Sequence, residues 1–144
     1  MKARNALIGF TTALAFCFSV PVAAKDEMSA KDIKRLELLQ AHAGEEQDTV
    51  RFLRPMHGYE IVGPQKVLVW ETPHKGWLLD VRDSPACKTL NREWWVGVEA
   101  LYDTINTRNG YLVGKGGLRC KITSLREVDV MAWKQAERDA GIRE

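Results

Sequence analysis

The chain has 144 residues, 45% of them hydrophobic and 28% charged, with a formal net charge of +2 and three cysteines. That is about one domain with the composition of a folded globular protein, which excludes a disordered tail, a collagen-like fibre and a multidomain assembly. It names no chemistry.

Lys2 and Arg4 precede an uncharged, mostly apolar stretch from Ala6 to Val20, and Pro21-Val22-Ala23-Ala24 then leads into Lys25-Asp26-Glu27. A basic start, a short apolar centre and small residues before the polar boundary predict a secretory signal peptide over residues 1–24, cleaved after Ala24. The apolar stretch, about 15 residues, falls short of the ~20 that a spanning helix needs. Cys17 does not mark a lipid attachment site, because the bulky Phe16 stands where a small residue is wanted.

Cleavage would leave a single exported domain, residues 25–144, in the periplasm or outside the cell. It removes Lys2 and Arg4 from the 21 basic residues and none of the 19 acidic ones, leaving 19 against 19. The faint basicity therefore belongs to the signal. Nucleic acid, which wants a clustered positive surface, is not an expected partner, and no membrane span is expected after signal removal.

Ser29 with Asp32 three residues on makes a capping pair, and Ile33, Leu36, Leu39 and Ala43 fall near one stripe, so a helix is predicted here, stopped at Gly44. Glu45 to Asp48 reads as an acidic loop. Val50–Leu53 and Tyr59–Val62 are short strand candidates. The turn Gly63-Pro64-Gln65 separates the second from a run at 66–71, and the turn at 72–76 separates that run from Trp77–Arg82. Two turns between three apolar runs predict an antiparallel meander. The run at 67–70 does not alternate, as expected of a strand covered on both faces.

Residues 94–99 favour a strand. Asn109-Gly110 predicts a two-residue hairpin joining Thr104–Arg108 to Tyr111–Val113. Gly114-Lys115-Gly116-Gly117 turns the chain again, and Leu118, Cys120 and Ile122 then alternate with polar residues, which places Cys120 on a buried face. Asp129 can cap a last helix with Val130, Trp133, Ala136 and Ala140 along one side, ending near Gly141.

With Cys17 removed, Cys87 and Cys120 remain in an exported chain, which predicts a disulfide between them. Redox-active pairs sit as Cys-x-x-Cys, so this wider spacing points to a structural bridge.

Sites of chemistry are sparse. His42, His57 and His74 are isolated from one another and from metal-ligand spacings. The Gly114–Gly117 turn precedes a strand, whereas a phosphate cradle needs a helix after its glycines. No serine lies in a Gly-x-Ser-x-Gly elbow. Asp80, Asp83 and Asp103 are carboxylates that spacing alone does not pair.

The aromatics say more. Trp70, Trp77 and Trp133 sit in the apolar pattern and read as core. Adjacent side chains on a strand point to opposite faces, so Trp94 and Trp95 cannot both enter one core, and whichever faces outward is the candidate binding surface.

His42-Ala43-Gly44-Glu45, Arg51-Phe52, Val69-Trp70 followed by Trp77-Leu78-Leu79, Cys87-x-x-Leu90, and Arg119-Cys120-x-Ile122 with Arg126-x-Val128-Asp129 together resemble a family of small exported proteobacterial proteins known only as a domain of unknown function. The resemblance covers about Ala41 to Asp129, the expected core of the domain, and matches least from Asn91 to Gly117. It implies export and a two-cysteine architecture and brings no catalytic residue.

The combined expectation is an α+β domain: a small, mostly antiparallel sheet or open barrel with an N-terminal and a C-terminal helix and one disulfide. Its expected role is a non-enzymatic binding or interaction module whose partner is an envelope protein or a glycan, with no cofactor and no catalytic or metal-binding residues assigned. The alternatives are an envelope-acting hydrolase using a carboxylate pair and a periplasmic metal-handling protein.

Overall fold

The structure is a computed structural model that describes residues 28–52, 56–93, 95–99 and 102–143. The predicted signal peptide, its cleavage point after Ala24, and Trp94 lie outside the described residues.

The first helix, α1 (Ala30–Ala41), begins as its capping pair requires: the Ser29 hydroxyl oxygen accepts from the Asp32 amide at 3.1 Å and the hydroxyl donates to the Asp32 carboxylate at 2.7 Å. The helix ends at Ala41 with His42 as its cap, before Gly44, and strand β1 (Ala43–Glu46) follows directly, so Ala43 lies in a strand and not on the helix stripe, and Glu45 and Glu46 are not loop residues. Strand β9 (Arg119–Val128) offers an edge along its second half, where Ala43 pairs with Val128 and Glu46 with Arg126. Because the side chains of β1 face mainly water, it forms without an apolar pattern.

Strands β2 (Thr49–Arg51), β3 (Gly58–Gly63), β4 (Lys66–Thr72) and β5 (Lys75–Val81) come next, and β3–β4–β5 is the expected meander. Pro64 and Gln65 make its first turn, Gln65 adopting φ 60°. Thr72 pairs with Lys75, leaving Pro73 and His74 as the second.

After a short 3-10 turn at Cys87–Arg92 come β6 (Val96–Glu99), β7 (Thr104–Asn106), β8 (Tyr111–Gly114), β9 and the last helix, α2 (Val130–Asp139), capped by Asp129 accepting from the Ala132 amide at 3.0 Å. The main sheet runs β3-β4-β5-β9-β8-β6 with β1 also on β9, and every pairing in it is antiparallel. It is a curled sheet with a helix at each end.

The predicted hairpin over 104–113 does not form. The local turn is real, since the Asn106 side chain accepts from the amides of Arg108 and Asn109 at 3.0 and 2.8 Å. A Cβ on Gly110 would lie 2.3 Å from the Asn106 carbonyl, so only glycine fits there. The two flanking strands part after it: β7 pairs with β2 in a separate ribbon, and β8 lies between β6 and β9.

Around β4 and β5 both faces of the sheet are covered, which accounts for the missing alternation in β4. Val67 and Val69 with Trp77 and Leu79 point into the curl, where Val50, Phe52, Ile105, Leu112 and Ile122 meet them. Leu68 and Leu78 point the other way, under Leu39 of α1 and Val130 and Trp133 of α2. A register shift opposite Asp80 and Val81 lets Ile122 and Leu125 of β9 both enter the curl.

Cys87 and Cys120 are bonded, with Cα atoms 5.7 Å apart and both side chains in this core. The bridge ties the segment after β5 to the middle of the sheet.

Candidate functional site

The curl is packed with aliphatic and aromatic side chains, so a search for a site moves to the outer faces. The histidines do not converge as ligands: among the described residues no group of three or more His, Cys, Asp or Glu side chains gathers. His42 Nδ1 lies 2.7 Å from the Leu38 carbonyl oxygen, and His57 and His74 are exposed.

The three aspartates each have separate surroundings. Asp80 is held by Lys66 at 2.5 Å and Arg126 at 3.2 Å. Asp83 accepts from Gln65 at 2.7 Å and lies 3.4 Å from Lys88. Asp103 is exposed in a turn where its carbonyl accepts from the Phe52 amide. The glycine-rich segment is a turn at Lys115–Gly117 that leads into β9 without an intervening helix.

The outer face of β6, β8 and β9 is of a different kind. Val96, Leu112 and Cys120 are buried, so the alternating positions Gly97, Glu99, Tyr111, Val113 and Arg119 turn outward. Trp95, two residues before Gly97, joins this face and is 47% exposed. A Cβ on Gly97 would lie 2.9 Å from the Trp95 indole and 3.4 Å from Val113, so the missing side chain leaves room for the ring to lie down on the strand.

Beside it the Arg119 guanidinium sits 3.9 Å from the centroid of Tyr111 and forks onto Glu99 with bonds of 3.1 and 3.0 Å. A flat indole, a tyrosine ring and a pre-oriented guanidinium thus share one face. Trp77 and Trp133 are buried as expected, and half-buried Trp70 packs 6.3 Å from Trp133.

A second feature was hidden in the sequence. Glu137 is 1% exposed on the inner side of α2, one helical stripe with Val130 and Trp133. Arg35 of α1 bonds it at 2.6 Å and Arg143 at 3.1 Å, and Arg35 also bonds Glu60 on β3 while lying 5.3 Å over the Trp133 ring. Burial works against the charge on Arg35, but the hydrogen bonds it donates to Glu60 and Glu137, and then their negative charges, outweigh it and raise its pKa. One guanidinium therefore clamps both helices to the sheet. The readable signal was an acidic residue on the apolar stripe of α2.

Two cavities flank this clamp. One of about 470 Å³ lies between α1, the β3–β4 turn and the segment around Lys88, and one of about 390 Å³ lies between α1 and the C-terminal residues Ile142 and Arg143. Glu71, the other buried carboxylate among the described residues, accepts from Trp77 Nε1 at 3.0 Å and lies 3.2 Å from Lys75.

Residues 2–144 match the model of a family of unknown function, DUF6491. No curated protein and no solved structure matches the chain.

Proposed function

Because the chain belongs to the DUF6491 family of unknown function, whose description supplies no activity, we propose from its own residues that it is an exported, disulfide-stapled module that binds a protein of the cell envelope through the outer face of β6, β8 and β9. The observation that carries this reading is the grouping of Trp95, Tyr111 and Arg119 on that face. Trp, Tyr and Arg are the side chains that dominate binding energy at protein interfaces. Here the indole rests on Gly97 and the guanidinium is held by both Tyr111 and Glu99, so little side-chain freedom would be lost on contact.

Export is supported by the basic-apolar-small pattern of residues 1–24 and by a disulfide in the core, a bond that persists in oxidising compartments. The buried carboxylates support a binding role over hydrolysis, since Glu137 and Glu71 are each engaged by a cation that ties secondary elements together.

The test is photo-crosslinking in cells that make the protein. With p-benzoylphenylalanine at position 95, a discrete adduct with one envelope protein is expected. The same group at position 131, where exposed Met131 lies on α2, should give none. Equal labelling at both positions, or none at 95, overturns the reading, and an adduct with glycan alone replaces the protein partner. Mass analysis of the cellular protein should find Lys25 at its N-terminus.

A further inference from the structure

The cavity beneath α1 is polarised along the helix. Asp32, Arg35, Leu36 and Leu39 line it at helical spacing, so its wall passes from charged at the start of α1 to aliphatic further in. Ile61, Val62 and Pro64 continue the apolar wall from the opposite side. Gly63 closes it under two pliable side chains: a Cβ there would lie 2.8 Å from Leu36 and 3.6 Å from the Met28 sulfur. Unbranched methionine adapts to irregular apolar shapes.

The polar end opens toward the neighbouring cavity, which shares Asp32 and Arg35 and adds Lys31, Glu137 and Arg143. With Lys88 and Asp83 on the rim, and counting Glu60, which Arg35 also bonds, four cations stand beside four carboxylates. Lys31 enters no ion pair among the described residues, whereas Arg35 and Arg143 are committed to Glu137 and Lys88 to Asp83. A volume of about 470 Å³ falls in the range of small-molecule sites, which are largely apolar with a few placed polar groups.

We propose that this paired cavity binds a single-chain amphiphile, its aliphatic tail against Met28, Leu36 and Val62 and its anionic head near Lys31 and Arg35. The apolar wall selects the tail, and Lys31, the lining cation without an ion pair among the described residues, selects the sign of the head. The site is separate from the outer aromatic face and does not depend on it.

The test uses the protein purified from the compartment to which the cell delivers it, titrated with dansyl-labelled undecanoate. Saturable, blue-shifted emission is expected, displaced by dodecanoate but not by acetate or dodecyltrimethylammonium. Val62→Trp, which fills the cavity, should weaken binding at least tenfold. Lys31→Glu should weaken the anionic probe several-fold and leave its methyl ester unchanged, and this surface substitution keeps the test open if Val62→Trp does not fold. Trp95→Ala should bind as the parent does. Absence of saturable binding, equal displacement by the cationic amphiphile, equal affinity for the Val62→Trp protein when folded, or loss of binding with Trp95→Ala overturns the proposal.

Discussion

Reduction of the Cys87–Cys120 bridge is the perturbation whose size follows most directly from the structure. The bridge closes a loop with a sequence separation of 33, and the chain-entropy relation gives about 3.7 kcal/mol of stabilisation at 25 °C for that length. Domains of this size have total stabilities of about 5–15 kcal/mol. Urea unfolding with and without dithiothreitol reads the difference. With a slope of about 1.5 kcal/mol/M, reduction should move the midpoint down by roughly 2.5 M. The slope itself should rise slightly, because an unfolded chain freed of its cross-link exposes more surface. Cys87→Ala with Cys120→Ala should lose at least as much, since both sulfurs are buried in the core and their removal also leaves space. A free-energy change under about 1 kcal/mol on reduction would refute the loop-closure reasoning.

Arg35→Ala should destabilise the fold by about 2–3 kcal/mol, since Glu137 would keep only one cation in a buried setting, whereas Arg143→Ala, at a more exposed partner, should cost under about 1 kcal/mol; equal costs in thermal or urea melts would contradict the clamp. Gly97→Ala should change stability by less than about 1 kcal/mol yet lift the indole from the strand, seen as a red shift of Trp95 emission, and an unchanged spectrum would show that the ring does not rest there. Among Trp70, Trp77, Trp95 and Trp133, replacement of Trp95 by Phe should remove the largest share of iodide quenching, and an equal loss on replacing buried Trp133 would contradict the exposure described.

Much of this architecture was legible because it is written in short-range chemistry. The Ser29–Asp32 cap, the Pro-Gly turns of the meander and the Asp129 cap each act within a few residues, and each forms as read. The unbroken apolar run at 67–70 likewise reports burial on both faces, Val67 and Val69 to one side and Leu68 with half-buried Trp70 to the other. The failures are all long-range. Asn109-Gly110 makes its turn, but which strands flank it is decided by β2 and β9, far away in sequence. Strand β1 is too polar to announce itself and exists because β9 has an edge to pair with. Strand alternation in the sequence offers Trp94 or Trp95 as the outward ring, and Trp94 lies outside the described residues while Trp95 is 47% exposed. Its neighbours Tyr111 and Arg119 come from other strands, so their meeting is a property of register. Glu137 was missed for a similar reason: its partner Arg35 lies on the other helix.

The most direct test of the binding role is the dissociation constant for the envelope protein captured at position 95, measured with the parent and with Trp95→Ala. A central indole at an interface is worth about 2 kcal/mol or more, so the account predicts weakening of roughly 30-fold with an unchanged melting temperature. An affinity that does not change when Trp95 is removed would contradict it.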